Sequence, residues 1–450
     1  VNFLRGSEKK VRILRVMLLD QPGHLGKLTQ AIGDVGANIG DIVKLRTAGE
    51  YNVREFELYF DNEAQIDRLR AVIDDLSGIR FEDLCDPVLE LHRGGKIRMR
   101  STVPVERIGD IRKIYTPGVA TVCMEIHAHP ERVWDYTALG NTVAIITNGT
   151  AILGLGNIGV HAGLPVMEGK AVLFDRLAGI SGIPILIPTR DPRTFIDTVI
   201  QIAPSFGAIK LEDVGAPECF EIEDELSRVL PIPVLHDDQH GTAVVVLAAL
   251  LNATRATDQR LDRLRVGIVG LGAAGLGIAK LLMAYGVRGI LGCDIKQEAM
   301  RRLEEMGGRS GDLGRVMEES DAVIATTGRP GLITPEMVQP RQILLALSNP
   351  NPEIEPRRAL EAGAAFAADG RSVNNALGFP GLFRGALDAR ALRFTDAMKI
   401  AAAETIARLA DPGELVPPLL LDTVHASVAE AVEQAAKSSG ATEPREDSTT

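Results

Sequence analysis

Adjacent carboxylates close two apolar runs of this 450-residue chain. Ile202 to Ile209 leads through Lys210-Leu-Glu-Asp-Val into Glu212 and Asp213, and Leu230 to Leu235 leads through His236-Asp-Asp-Gln-His-Gly-Thr into Asp237 and Asp238. Four carboxylates gathered on two strand ends repel one another unless they share a proton or hold a cation. Ligands that are all oxygen select a hard ion, Mg²⁺ or Mn²⁺. Two unrelated acidic loops are the alternative. His236 and His240 flank the second pair and are further candidate ligands, although a spacing of four on a turn is a weak signal.

Other residue types in the chain could do proton chemistry. Lys170 precedes an apolar run, Ala171–Phe174, that reads as a strand. Desolvation or a neighbouring positive charge there would lower its pKa and make it a base, whereas an arbitrary lysine lies on the surface. Tyr115 sits in Lys-Ile-Tyr-Thr-Pro-Gly-Val-Ala, a turn opening a helix, and most tyrosines are packing residues with a wet hydroxyl. His127 and His129 end a helix and read as solvated. Asn349, in Ser-Asn-Pro-Asn-Pro, has ordinary turn chemistry as its plain explanation. With Asn374 and Asn375 it also offers uncharged amides beyond strand ends, where a substrate carboxylate or a nicotinamide ribose would lie.

Two GxGxxG motifs are present, Gly154-Leu-Gly-Asn-Ile-Gly159 and Gly270-Leu-Gly-Ala-Ala-Gly275. Context separates them. After Gly275 a breaker-poor helix leads to the strand Gly-Ile-Leu-Gly-Cys and then Asp294, the full unit in which a pyrophosphate rests on a helix N-terminus. After Gly159 come Gly163, Pro165 and Gly169, which a crossover helix does not easily tolerate. The second motif, Gly270, Gly272, Ala273, Ala274 and Gly275, is therefore the expected dinucleotide loop and the first a decoy. Asp294 could hold the ribose 2′-OH and so favours NAD, while Lys296 could meet the 2′-phosphate of NADP.

These groups need a scaffold, and the pattern predicts an α/β protein. Strands are expected at 10–19, 38–48, 51–60 and 79–91, with helices over Leu25–Val35 and Ile66–Leu76. That order is βαββαβ, a ferredoxin-like unit of about 80 residues. Arg93-Gly-Gly-Lys reads as a linker. Val143–Thr147, Ala171–Phe174, Ile183–Ile187, Ala208–Leu211 and Val234–His236 then read as short strands of a parallel sheet. A Rossmann-like unit begins near Arg265. The expected domains are 1–95, 96–256, 257–395, a pair of C-terminal helices over 396–436 that pack back on the catalytic domain, and a disordered tail at 437–450.

Composition narrows the class. Hydrophobic residues make up 45% and charged residues 24%, enough for a large core, and the net charge of −11 argues against a nucleic-acid partner. Cys85, Cys123, Cys219 and Cys293 lie far apart, so neither a zinc knuckle nor a disulfide framework is expected and a reducing cytoplasm is. No stretch reaches the length of a membrane span and no secretory h-region is evident at the first residues.

Taken together and in order, Tyr-Thr-Pro-Gly-Val-Ala, Leu-Gly-Leu-Gly-Asn-Ile-Gly, Glu-Gly-Lys, Leu-Glu-Asp-Val, His-Asp-Asp-Gln-His-Gly-Thr, Gly-Leu-Gly-Ala-Ala-Gly, Leu-Ser-Asn-Pro and Asn-Asn-Ala-Leu-Gly-Phe-Pro-Gly resemble malic enzyme of the bacterial type over residues 96 to 435. The resemblance implies oxidative decarboxylation of (S)-malate to pyruvate and CO₂ with NAD or NADP. It implies Glu212, Asp213 and Asp238 as metal ligands, Lys170 as base, Tyr115 as acid and Asp237 as the lysine's companion. It places Asn349 and Asn375 near substrate and nicotinamide, with Thr242 also in the cofactor set. Ala151 stands where larger members carry a carboxylate-binding arginine, as it does in other small members, so the clamp for that carboxylate is open. A malolactic-type or oxaloacetate decarboxylase without net NAD(P)H formation, or a silent effector-binding protein, are the competing expectations.

The N-terminal segment resembles an ACT domain through Leu-Asp-Gln-Pro-Gly-His-Leu-Gly and Ile-Gly-Asp-Val-Gly-Ala-Asn-Ile. That resemblance implies a homodimer or larger homo-oligomer and a small effector, such as an amino acid, held around Asp20, Gly23, His24, Leu25 and Asn38. A purely oligomerising role is the alternative.

Overall fold

In the computed structural model, which describes residues 9–442, the chain divides between Arg98 and Met99 into two units. The first unit alternates as the sequence pattern requires: β1 (Lys10–Leu19), helix His24–Asp34, β2 (Asn38–Ala48), β3 (Tyr51–Phe60), helix Glu63–Asp74 and β4 (Ile79–Cys85). The sheet is antiparallel throughout, in the order β2-β3-β1-β4. Leu14, Val16 and Leu18 alternate inward from β1 onto Leu28, Ile32, Leu69 and Ile73 of the two helices, so one face of the sheet is covered.

Two expectations change in this unit. The final strand stops at Cys85 instead of continuing to residue 91. Asp86 caps a helix, Pro87–His92, by accepting the N–H groups of Val88 and Leu89, and Pro87 fills the first turn, where its missing N–H costs nothing. The proposed effector residues also separate. Asp20 follows the end of β1, whereas Asn38 opens β2 opposite Tyr59, beside the start of β1. Nine residue steps of strand, roughly 30 Å, lie between them in one chain.

The second unit holds two parallel sheets. The smaller has the order β6-β5-β7-β8, from β5 (Thr142–Thr147), β6 (Ser181–Leu186), β7 (Ala208–Leu211) and β8 (Val234–His236). The larger has the order β11-β10-β9-β12-β13-β14. Its strands are β9 (Arg265–Val269), β10 (Gly289–Cys293), β11 (Arg309–Ser310), β12 (Ala322–Ala325), β13 (Ile343–Ala346) and β14 (Phe366–Asp369). The strands are short, and β5, β7, β8, β9, β10, β12 and β13 are buried on both faces, as the inner strands of parallel sheets with helical crossovers are.

The run Ala171–Phe174 is not a strand. It belongs to the helix Leu164–Ala178, whose buried residues Met167, Ala171 and Phe174 fall at helical spacing. Pro165 lies in the first turn and is tolerated there, Gly169 is carried inside, and Gly179 closes the helix with φ 62°. The first glycine motif is a loop with short 3₁₀ turns and no dinucleotide unit around it. Ordered structure continues past residue 436, after which the tail is expected. Helix Asp422–Ser438 runs past residue 437, Leu392 N–H donates to Ala441 O at 2.8 Å, and Ala391 bridges Thr442. The remainder, 443–450, lies outside the described residues.

One helix joins the two sheets. Asp237–Ala256 starts directly from β8 and is buried over most of its length, with Val244 through Leu250 fully enclosed. Against it pack the helix Ala273–Tyr285 of the larger sheet and the C-terminal helix Asp396–Leu409. At the first of these crossings Gly277 is essential, since a Cβ there would stand 2.5 Å from the Gln239 carbonyl. Among the described residues no helix is long and apolar enough to cross a membrane.

Candidate active site

The register of β7 against β8 assembles the charged cluster. Lys210 pairs with Leu235 and Leu211 with His236, so the residues that follow, Glu212-Asp213 and Asp237-Asp238, emerge side by side. Asp237 and Asp238 occupy the first turn of their helix, where the macrodipole favours negative charge. Successive residues on a helix are about 100° apart, so the two carboxylates face different neighbours.

Asp237 faces two lysines. Its Oδ2 accepts from Lys170 Nζ at 2.8 Å, Lys210 Nζ at 2.9 Å and Asn375 Nδ2 at 3.0 Å. Glu212 completes a square of charge, accepting from Lys170 Nζ at 3.0 Å through Oε1 and from Lys210 through Oε2. Burial pushes the Asp237 carboxyl up, but Lys170 and Lys210 outweigh it and bring the pKa down to about 2. Both ammonium groups lie over the Phe379 ring, 4.9 and 4.7 Å from its centroid. Only Lys170 reaches outward, with 12% of its side chain exposed against none for Lys210. Burial, reinforced by the neighbouring Lys170 and opposed by Asp237, lowers the Lys210 pKa to about 7.

Asp238 faces Asp213. Its Oδ2 accepts the Asp213 N–H at 3.0 Å and lies 3.3 Å from His236 Nε2. Burial and the Asp238 charge raise the Asp213 carboxyl to about 7, and Asp213 Oδ2 is buried with no hydrogen-bond partner. Burial raises Asp238 too, yet His236 more than offsets it and holds the group below its usual value. Glu212, Asp213 and Asp238 offer oxygens that all lie within 4.8 Å of one another. An orphaned carboxylate oxygen, a carboxyl raised by its like-charged neighbour and an all-oxygen donor set fit a hard divalent cation.

The flanking histidines are not part of that donor set. His240 Nε2 pairs with Glu223 at 3.0 Å, and Glu223 also accepts the His236 N–H at 2.7 Å and Gln239 Nε2 at 2.8 Å. Burial raises the Glu223 carboxyl, His240 and His236 outweigh it, and the result is a pKa of about 2. This buried clamp fixes the turn from which Asp237 and Asp238 project.

The glycine loop between Ile152 and Gly159 attaches to the cluster through backbone. Ala151 N–H donates to Asp213 O at 3.1 Å and Leu153 N–H to Asp213 Oδ1 at 3.3 Å. Ala151 thus meets the site through its amide, and no side-chain charge enters at that position.

The dinucleotide loop has the form its motif demands. Gly270 has φ 94°, and a Cβ at Gly275 would run into the Gly270 carbonyl, so that glycine lets the helix close on the strand. Gly272 faces open space. Ala273 and Ala274 form the first turn of the helix. A cavity of about 840 Å³ opens here, lined by Gly270, Gly272, Asp294, Lys296, Thr326 and Arg329, a volume suited to a cofactor. Asp294 ties the glycine loop to its own turn, accepting from Leu271 N–H at 2.7 Å and Lys296 N–H at 2.8 Å.

The predicted residues thus fall into groups. Lys170, Glu212, Asp213, Asp237, Asp238 and Asn375 come together, and Gly270–Gly275, Asp294 and Lys296 form a second group. Thr242 lies half-buried one turn along the carboxylate helix, and Asn349 Nδ2 reaches the Gly370 carbonyl at 3.4 Å. Tyr115 stands apart. It follows the helix Ile108–Ile114, is 69% exposed and has no side-chain hydrogen bond among the described residues. Lys210 and Glu223 were missed by the sequence reading. Lys210 had a usable signal, since it precedes Glu212 by two residues on a strand and must share its face. Glu223 had none.

Fold and site define a nucleotide-binding α/β enzyme with a lysine–carboxylate centre suited to a divalent ion. Comparison with known proteins gives the family. Residues 95–193 match the malic enzyme N-terminal domain and residues 239–306 the malic enzyme NAD binding domain. NAD-dependent malic enzyme 1 of Bacillus subtilis (strain 168) is 52% identical over 432 residues, covering 96% of this chain and 98% of that protein. NAD-dependent malic enzyme of Geobacillus stearothermophilus is 40% identical over 431 residues, covering 91% and 90%. The crystal structure of malic enzyme from Pyrococcus horikoshii Ot3 superposes with a TM-score of 0.76 at 39% identity, over 80% of this chain and 92% of that one. This chain belongs to the malic enzyme family.

Proposed function

We propose that this chain oxidises (S)-malate with NAD and decarboxylates it to pyruvate and CO₂. The carrying observation is the juxtaposition of Lys170, the one partly exposed amine of the cluster, with the carboxylate trio Glu212, Asp213 and Asp238. We assign that trio to Mg²⁺ or Mn²⁺ and the loop Gly270–Gly275 with Asp294 to NAD. Bound metal and NAD supply what the side chains lack, positive charge at the C2 oxygen and a hydride acceptor. In its neutral form Lys170 takes the proton of the C2 hydroxyl, and Asp237 and Asn375 hold its Nζ in place for that transfer. Lys210, enclosed and shared between Asp237 and Glu212, balances the buried charge. Tyr115 returns a proton to C3 after CO₂ departs.

An exposed Tyr115 fits a protein that completes its surface with a second copy, and we propose a homo-oligomer. Met99, Val103, Val105, Ile108, Ile111 and Ile114 in the same stretch are also exposed, an apolar run of the kind that marks an interface. We also read the N-terminal unit as an ACT-like regulatory domain. Its support is the βαββαβ order, the antiparallel sheet and a turn at Asp20–Leu25 in which Gly23 takes φ 95° to open the helix. The effector set of a single chain is then Asp20, Gly23, His24 and Leu25, without Asn38.

The test is absorbance at 340 nm with malate, Mn²⁺ and NAD or NADP in parallel, repeated across a panel of amino acids. Metal-dependent NADH formation with a preference for NAD is expected. Malate consumption without NADH would replace the proposal with a malolactic-type reaction.

A further inference from the structure

The cavity has a second buried carboxylate behind it, unconnected with the metal ligands. Glu353 is fully enclosed, with 0% exposure. Its Oε1 accepts from Thr327 N–H at 2.6 Å, Thr327 Oγ1 at 2.8 Å and Ser348 Oγ at 2.5 Å, and its Oε2 accepts from Ser348 N–H at 3.3 Å. Ser348 Oγ in turn accepts the Gly328 N–H at 2.8 Å, and Thr327 Oγ1 accepts that of Arg329 at 3.1 Å. One side chain therefore ties the loop that follows β12 to the turn that follows β13. Among the described residues Glu353 has no cationic partner. Burying a carboxylate against neutral donors alone is costly, and every donor it satisfies belongs to one of the two loops it joins. The expense argues for a requirement on loop geometry beyond stability.

The position of the loops shows what that requirement is. Asp294 follows β10, on one side of β9, and marks the adenosine end of a bound dinucleotide. β12 and β13 lie on the other side of β9, so the nicotinamide end must lie over their loops. Thr326, Thr327 and Arg329 line the cavity there, and Asn349 adjoins Ser348. We propose that Glu353 is a positioning residue, which holds the loops after β12 and β13 together as the wall that receives the nicotinamide half of NAD. The inference rests on the cavity being the NAD site.

Binding of NADH and of AMP, followed by calorimetry on the full chain, separates the two halves of the cavity. For Glu353→Gln the NADH dissociation constant should rise about tenfold or more, since charged hydrogen bonds are lost, while AMP affinity stays unchanged. The KM for NAD should rise more than that for malate. Ser348→Ala and Thr327→Val, which leave the carboxylate in place, should show the same selective loss at smaller size and carry the test should Glu353→Gln fail to fold. An unchanged NADH affinity, or an equal loss for AMP and NADH, would overturn the role. If the unaltered protein binds neither nucleotide, the assignment of the cavity fails and the proposal with it.

Discussion

At the ends of β7 and β8 the chemistry rests in side chains, while at the ends of β9 and β10 it rests in backbone. The first region packs two lysines and four carboxylates into a nearly closed space, where burial pushes Lys210 down and Asp213 up while the two lysines hold Asp237 low. The second region is open, about 840 Å³, and its defining residues are glycines and an aspartate that braces the glycine loop. A site that transfers protons needs groups whose charge is set by neighbours. A site that holds a long, flexible cofactor needs N–H groups and room. Substitutions in the two regions should therefore fail in different ways.

The largest effect should come from the lysine cluster. Lys170→Ala should lower kcat by about 10²–10⁴-fold, the range for loss of a general base, with NADH affinity unaltered. Steady-state rates at saturating malate, NAD and Mn²⁺ measure it, and near-normal turnover would remove Lys170 from the reaction.

Next in size is metal uptake. Asp238→Asn should raise the metal concentration for half-saturation on the order of 100-fold, at least the loss seen when a ligand's supporting partner is removed. Metal uptake should also depend on pH. Asp213, raised to about 7, is protonated below that pH and must lose its proton to bind a cation. Apparent affinity should therefore fall about tenfold per pH unit below 7 and level off above it. The sign for stability is opposite. A folded-state pKa above the unfolded value of about 4 means the metal-free fold binds the extra proton, so this group's contribution declines as pH rises from about 4 to 7. Metal titrations at several pH values and thermal melts of the metal-free protein read the two separately.

How legible each region was follows the same division. The dinucleotide loop was readable because its demands are local: Gly270, Gly275 and Asp294 lie within one strand–loop–helix–strand segment. The carboxylates of Glu212, Asp213, Asp237 and Asp238 were readable as strand-end acids, but their neighbours were not. Lys170 was expected before a strand and lies in a helix, because Ala-Val-Leu-Phe is too short a run to reveal its period. The pairing of Lys170 with Asp237 spans 67 positions and the Glu223 clamp on His240 spans 17, separations on which local pattern is silent. The resemblance groups Asn38 with Asp20, and only the pairing of β1 with β3 and of β3 with β2 shows that they lie at opposite ends of the sheet.

A smaller and more selective effect is expected on the backbone side. Asp294→Ala removes the acceptor for two loop N–H groups and, on the proposed assignment, for the ribose hydroxyl. The ratio of kcat/KM for NAD to that for NADP should fall about tenfold, a loss of 1 to 2 kcal/mol typical of a hydrogen-bonded pair, with the metal titration unmoved. A shift in metal requirement would show that the two regions are not separable at this residue.

The smallest predicted change in catalysis lies where the regions meet. Gly277 of the dinucleotide helix lies against the Gln239 carbonyl, one residue beyond Asp238. Gly277→Ala must push the helices apart by a fraction of an ångström, at a cost of about 1–3 kcal/mol in stability. The displacement reaches both the carboxylates assigned to the metal and the cofactor loop, so the KM for NAD and the metal requirement should rise together, each only a few-fold. Parallel titrations of NAD and Mn²⁺ on this variant decide the matter. If one constant moves and the other does not, the helix Asp237–Ala256 does not act as the common support of the two regions.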